Sequence, residues 1–319
     1  MANEIPVYLF VGFLESGKTK FIQETFEDPN FDSGDKTLLL VCEEGEEEYN
    51  QKKFAFPGVT LYNLEDKAEL NPQNLAKLAK EADAGRVVIE YNGMWMLDSL
   101  YQNLPDNWAV YQEFMFADAS TFLNYNANMR SLMVDKLKSC ELVVLNRFRP
   151  EMDGDKLTIH KIVRTSNRRC DIAFDYGNDH VEYDEIEDPL PFDLNAPVIE
   201  IKDTDYAVWY RDLSENPANY EGKTVHFRGL VATNAKLPKG CFAVGRHVMT
   251  CCEADITYAG LLCVWDPASV ATLHQRDWVM VTATVNTKYH KGYGRKGPVL
   301  TIQSVAQSTA PEEEVATFY

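Results

Sequence analysis

The stretch Gly12-Phe13-Leu14-Glu15-Ser16-Gly17-Lys18-Thr19 constrains what this 319-residue chain can fold into more than any other. It fits the P-loop pattern of Gly, four residues and Gly-Lys-Thr. Ahead of it, Ile5 to Val11 reads as a buried strand. Behind it, Thr19 to Phe26 reads as a helix with Phe21/Thr25 and Ile22/Phe26 one turn apart. A glycine loop between a strand and a helix N-terminus points backbone N–H groups inward, and the helix dipole favours an anion there. Gly12, Glu15, Ser16 and Gly17 then line a phosphate cradle. Lys18 reaches the β- and γ-phosphates of a nucleotide, and the Thr19 hydroxyl ligates Mg²⁺.

The rest of the N-terminal part alternates in the same way. Strand patterns run over Ile5–Val11, Thr37–Val41, Val59–Tyr62, Arg86–Glu90, Val110–Ala117, Glu141–Leu145 and Asp171–Phe174. Helical patterns lie between them. Asn71-Pro72 is an N-cap followed by Pro at the first helical position, with Leu75, Leu78, Ala79 and Ala82 on one stripe. Ser120 to Lys138 reads as one helix and Asp155 to Asn167 as another. This order predicts an α/β fold, a P-loop NTPase with a largely parallel sheet. The acidic, proline-containing run Asp188-Pro189-Leu190-Pro191-Phe192-Asp193 reads as a linker. Beyond it, Thr224–Val231, Gly260–Val264, Trp278–Val285 and Val299–Ile302 are β-like with Gly-rich turns, which predicts a small all-β, OB-like domain. The expected division is an NTPase domain over 1–188, a linker over 189–196, a β domain over 197–308, and a disordered acidic tail over 309–319.

Charge and cysteine usage narrow the classes. The net charge is −18, and residues 1–195 hold 19 Lys and Arg against 36 Asp and Glu. So acidic a half argues against broad nucleic-acid binding there. Seven cysteines without a regular framework fit a reduced, cytoplasmic setting. No apolar run approaches the length of a membrane span, and no secretory leader is visible.

Further residues could carry chemistry. Glu90 ends the apolar strand Val87-Val88-Ile89, where a carboxylate serves Mg²⁺ or the attacking water. Gly93 just after it would let the backbone approach the γ-phosphate. The loop Cys42-Glu43-Glu44-Gly45-Glu46-Glu47-Glu48 lies where a nucleotide switch loop would order, so Glu43 or Glu44 could bind metal or polarise water. Asn146-Arg147 follows the strand Leu142–Leu145.

With those residues in view, roughly 4–175 resembles the CobW-type GTPases, relatives of the urease and hydrogenase metal-insertion GTPases. The matching positions are Gly12–Thr19, Glu43-Glu44-Gly45, Ile89-Glu90 with Gly93, Ala117-Asp118-Ala119 and Leu145-Asn146-Arg147. The resemblance implies a GTP-dependent metallochaperone or metal-homeostasis protein in which Asn146 recognises guanine. The chain departs from that family twice. Asn146-Arg147-Phe148-Arg149 lacks the Asp that ends the usual guanine motif, which leaves GTP against ATP open. No Cys lies between Cys42 and Cys140, where the family carries Cys-x-Cys-Cys.

In the C-terminal part, about 197–305 resembles the YcgQ-like C-terminal domain found in proteins paired with predicted permeases. The resemblance rests on Tyr220-Glu221-Gly222-Lys223, Phe242 to Arg246, and the run from Val244 to Asp255. Cys251, Cys252 and His247 fall in that run and could take Zn²⁺, with Cys241 and Cys263 nearby in sequence. Two small buried hydrophobes are the other reading of the cysteine pair. The basic, aromatic run Lys288 to Gly297 is either a hairpin or, on an OB-like barrel, a grip for single-stranded nucleic acid. His160, His180, His226 and His274 have no partners at metal spacing.

The sequence thus predicts a Mg²⁺-dependent nucleoside triphosphatase, GTP the expected nucleotide, with Lys18 and Glu90 as catalytic residues. Gly12, Glu15, Ser16, Gly17, Lys18, Thr19, Gly93, Asn146 and Arg147 would bind the nucleotide, and Thr19, Glu43 and Glu90 would serve Mg²⁺. Its partners would be a metal-requiring client or a permease. The alternatives are an ATP-dependent kinase-like enzyme and a non-catalytic, nucleotide-gated metal- or partner-binding module.

Overall fold

Apolar runs that are buried on both sides build the first sheet. In β1 (Ile5–Val11), Val7, Leu9 and Val11 enter one hydrophobic cluster, while Phe10 and the partly buried Tyr8 enter another. A parallel strand covered on both faces needs this composition. The structure is a computed structural model and describes residues 4–234, 237–250, 253–291 and 293–318. It divides into two compact units at Ile186/Glu187.

The first unit holds β1, β2 (Thr37–Val41), β3 (Val59–Asn63), β4 (Arg86–Glu90), β5 (Trp108–Asp118), β6 (Leu142–Asn146), β7 (Asp171–Gly177) and β8 (His180–Tyr183). Their order is β3-β2-β4-β1-β5-β6-β7-β8. Every neighbouring pair is parallel except β7–β8. The antiparallel edge closes through Asn178 and Asp179, both at positive φ (52° and 61°), which is the hand a tight hairpin needs. The helices are α1 (Lys18–Glu27), α2 (Pro72–Glu81), α3 (Leu97–Tyr101), α4 (Ala119–Asn128), α5 (Arg130–Leu137) and α6 (Lys156–Ser166). Ile22 and Phe26 seat α1 in the cluster with Phe10, and Leu75, Leu78 and Ala79 seat α2 in the other.

The single helix expected over Ser120–Lys138 is two. The chain breaks at Met129 (φ −132°, ψ 42°). Asn124, Asn126 and Asn128 crowd the end of α4, and Asn128 Nδ2 donates to both the carbonyl and the side chain of Asn124 at 2.8 Å. Amide side chains that bond locally compete with helix propagation.

Parallel strands deliver their carboxyl ends to one edge of the sheet, where open α/β sheets place their sites. Phe10 and Val41 both register with Glu90, and Asp118 registers with Asn146. The loops opening at Gly12, Cys42, Tyr91 and Arg147 therefore emerge side by side.

The second unit is a seven-stranded sheet around one core. Its strands are β9 (Ile199–Ile201), β10 (Thr224–Ala232), β11 (Cys241–Val248), β12 (Thr257–Val264), β13 (Trp278–His290), β14 (Arg295–Gln307) and β15 (Val315–Ala316), with α7 (Tyr206–Glu215) and α8 (Pro267–Val270) between them. Clean alternation in β10 and β13 sends Val225, Phe227, Val231, Val279, Val281, Ala283 and Val285 inward. The order is β15-β11-β12-β14-β13-β10-β9, and β10 also pairs with β11, so five strands close on themselves. The tail expected to be disordered returns to this sheet: Val315 and Ala316 pair in parallel with His247 and Val248, and Ala316 is buried. No helix among the described residues is long and apolar enough to cross a membrane.

Candidate functional site

The loop 12–17 is shaped by contacts that exclude side chains. Gly12 (φ 142°) lies so close to β5 that a Cβ would come within 2.1 Å of the Phe116 carbonyl. Gly17 (φ 94°) lies under Asn146, whose Nδ2 would be 2.0 Å from a Cβ. Gly93 faces the same loop, where a Cβ would be 2.6 Å from the Gly12 carbonyl. Glu15 and Arg147 are non-glycine residues in the left-handed region (φ 59° and 55°), and Arg147 Nη1 donates to the Glu15 carbonyl at 2.8 Å. Left-handed backbone outside glycine is held only where the surroundings determine it, and such residues gather at functional sites.

Within this frame Lys18 is buried and turned back under the loop. Its Nζ donates to the carbonyls of Gly12 (2.8 Å) and Phe13 (2.9 Å) and to Glu43 Oε1. Glu43 Oε2 accepts the Gly93 N–H at 3.1 Å. Thr19 Oγ1 donates to Glu90 Oε1 at 2.7 Å, and Tyr49 donates to Glu90 Oε2. Burial raises the Glu90 carboxyl above its ordinary range, against the bonds from Tyr49, Lys18 and Thr19 that favour its charge. Burial, then Glu90 and Glu43, push the Cys42 thiol up to about 12, so it stays protonated. Asn92 Nδ2 donates to the Cys42 carbonyl at 3.1 Å and joins the loops after β2 and β4.

Asn146 and Arg147 complete the far side. Asn146 Nδ2 donates to the Ser16 carbonyl at 3.3 Å, and its Oδ1 accepts the Arg147 N–H at 2.9 Å. Arg147 pairs with Asp118 at 2.5 Å. Burial works against the Asp118 charge, yet bonds from Ser120 and Arg147 outweigh it and hold the carboxyl below the usual range.

The structure therefore brings Gly12, Glu15, Ser16, Gly17, Lys18, Thr19, Glu43, Glu90, Gly93, Asn146 and Arg147 to one edge. Glu43 sits with Lys18 and Gly93, apart from the Thr19–Glu90 pair, and Glu44 is exposed. Tyr49, Asn92 and Asp118 join the site without having been assigned a role from sequence. Tyr49 follows an acidic run with no periodic or motif signal, so its bond to Glu90 is a tertiary fact.

Two observations bear on what this edge could hold. Ser16 Oγ is buried and has no hydrogen-bond partner among the described residues, which leaves a donor aimed into the loop. Thr19 and Glu90 together offer a hydroxyl and a carboxylate, hard oxygen donors of the kind Mg²⁺ takes when substrate phosphates supply further oxygens. Beside the loop lies a cavity of about 590 Å³, lined by residues that include Phe13, Glu43, Asn92, Met94, Tyr125 and Met129.

In the second unit, Cys251 and Cys252 lie outside the described residues. His247 is exposed on β11 against the Tyr258 ring. Cys263 is fully buried and donates to the Leu261 carbonyl, and Cys241 Sγ lies 3.6 Å from His290 Nε2. Among the described residues no group of three or more His, Cys, Asp or Glu is placed to hold a metal ion.

Residues 178–316 match the family model described as the DUF1980 C-terminal domain, so the C-terminal part of the chain is similar to that family. No curated protein matches the chain. Among solved structures it is similar to a mitochondrial single-stranded DNA-binding protein of S. cerevisiae, Rim1, at 8% identity. That alignment covers 27% of this chain and 95% of the other at a TM-score of 0.19.

Proposed function

We propose that the first unit is a Mg²⁺-dependent nucleoside triphosphatase of the P-loop type, with GTP the expected nucleotide. On this reading the chain acts as a switch in metal homeostasis, zinc foremost, or in metal delivery. The observation that carries it is the convergence of the Lys18 ammonium, the Thr19 hydroxyl, the Glu90 carboxylate and the Gly93 N–H around one glycine loop. Lys18 would offset charge on the transferring phosphoryl group, and the Gly93 N–H would meet the terminal phosphate. Mg²⁺, held by Thr19 and Glu90, would neutralise charge between the β- and γ-phosphates. Tyr49 fixes one oxygen of Glu90, so the other stays directed at Thr19.

The metal-linked part of the reading rests on the resemblance to the CobW-type GTPases, in the order and spacing of Gly12–Thr19, Glu43-Glu44-Gly45, Glu90 with Gly93, and Asn146. The closed ring of β10, β11, β12, β14 and β13 supports an OB-like barrel for the second unit, through which a metal-requiring client or a permease partner would be engaged. GTP and ATP hydrolysis by the full chain, with and without Mg²⁺, tests the enzyme. Lys18→Ala should lower turnover on the order of 10²-fold or more. Turnover of neither nucleotide by the wild type would sink the triphosphatase.

The cavity beside the loop favours one second reading, an ATP-dependent transfer of phosphate to a small acceptor rather than to water. Preference for ATP, with phosphate recovered on an acceptor, would select it.

A further inference from the structure

The donors that would read a terminal phosphate are already engaged by the protein itself. Lys18 Nζ directs its hydrogens at the Gly12 and Phe13 carbonyls and at Glu43 Oε1. The other oxygen of Glu43 accepts the Gly93 N–H at 3.1 Å. One carboxylate thus spans the cation at the start of α1 and an amide on the loop after β4, with its side chain 9% exposed. The segment that carries it is clasped at a second point. The Glu46 N–H donates to Glu15 Oε1 at 2.9 Å, and Gly45 approaches so closely that a Cβ would be 2.8 Å from the same oxygen. The pocket that residues 14–19 share with Glu43, Gly45 and Glu47 holds about 10 Å³, room for a single water, and Glu43 also walls the larger cavities beside it. A phosphate can reach Lys18 and Gly93 only when Glu43 leaves.

We propose that Glu43 is an internal competitor for the terminal-phosphate position and sets the discrimination of the site between nucleoside triphosphate and diphosphate. The inference rests on the nucleotide-binding reading above. A carboxylate brings one negative charge and two oxygens. A terminal phosphate brings more charge and three oxygens, so it can take both donors away from Glu43. A diphosphate ends one phosphate short and leaves Glu43 in place. Only triphosphate therefore pulls the clasp open, and the 43–47 segment follows the length of the phosphate chain.

The test is equilibrium binding to the full chain of the non-hydrolysable β,γ-imido analogue of GTP and of GDP, each with Mg²⁺. Wild type is compared with Glu43→Ala, Glu43→Gln and Glu44→Ala. Losing a charge-assisted contact to the competitor should tighten the triphosphate analogue by about tenfold in Glu43→Ala, with GDP held within about twofold. Glu43→Gln keeps the shape without the charge and should fall between Glu43→Ala and wild type. Glu44→Ala removes the same charge from the same segment and should leave the ratio of the two affinities unchanged. A parallel shift for both nucleotides, an equal shift in Glu44→Ala, or no tightening in either Glu43 variant overturns the proposal while nucleotide binding stands. Binding of neither nucleotide by any of the four proteins removes the nucleotide site itself, and the proposal with it.

Discussion

Gly17 is constrained twice over at the scale of single residues. It opens α1 at φ 94°, and the Asn146 amide lies where a Cβ would go, 2.0 Å from Nδ2. The same amide donates to the Ser16 carbonyl, so the strand-end asparagine presses the loop into shape and depends on the glycine to do so. Gly17→Ala should cost about 1–3 kcal/mol of unfolding free energy, from left-handed backbone and the clash together. Adding Asn146→Ala removes the clash but not the backbone penalty, so the double variant should recover part of the loss. Urea unfolding of the two variants and wild type decides it, and a Gly17→Ala protein as stable as wild type would show that the loop rearranges freely. This constraint is legible in the sequence because glycines at fixed spacing before Lys-Thr record close backbone approach. The clasp of Glu43 on Lys18 and Gly93 is not legible, since it joins loops after three different strands and no local pattern encodes it.

Among the secondary-structure elements, α3 and α5 are tied through one buried carboxylate. Asp135, on α5, accepts the Leu97 N–H at 2.8 Å and pairs with Lys136 at 2.9 Å and Lys138 at 3.0 Å. Burial works against the Asp135 charge, but Lys136, the Leu97 N–H and Lys138 outweigh it and leave the carboxyl below its ordinary value of 3.8. A depressed acid stabilises the fold above its unfolded value, and that contribution is lost as pH falls through the folded one. Asp135→Asn leaves Lys136 buried without its charge partner and should cost about 3–5 kcal/mol near neutral pH. The gap between wild type and variant should narrow only below about pH 3.8. Burial lowers the Lys136 ammonium from its ordinary value, and the contacts with Asp135 pull the other way. Unfolding free energies across pH 2.5–7 measure it (the range follows from ordinary carboxylate values), and a gap that stays constant through acid would refute the assignment. Strands β1, β2 and β4 stand at the bounds their apolar runs mark, because a strand buried on both faces is written as an unbroken apolar segment. The break at Met129 and the β7–β8 hairpin escaped that reading. Each turns on local backbone choices, at Asn128 and at Asn178-Asp179, that hydrophobic periodicity does not carry.

For the molecule as a whole, the two units hold separate cores, and in the second the end of the chain is part of the structure. Composition alone reads residues 309–319 as a solvated tail, since Glu312 to Glu314 dominate it. A buried cation draws the tail back to the sheet. Arg246, on β11, is 1% exposed, and its guanidinium donates from Nη1 to the Asp203 carbonyl at 2.6 Å and from Nη2 to the Glu313 carbonyl. Two residues on, Val315 and Ala316 add a parallel strand to β11, and Phe318 packs under the Arg211 guanidinium at 3.5 Å. Removing residues 312–319 strips the guanidinium of one acceptor inside the protein, a loss of about 1–3 kcal/mol before the strand itself is counted. Amide hydrogen exchange read by mass spectrometry should then rise across β11 and the neighbouring β12, with peptides from β1, β4 and β6 unchanged. Arg246→Met in the full chain should be tolerated, because a buried charge replaced by an apolar side chain of similar length leaves no orphaned donor. In the Arg246→Met background the same truncation should raise exchange less than it does in the wild type. If the truncation raises exchange equally in both backgrounds, the tail is held by its strand alone and the Arg246 contact contributes nothing to it.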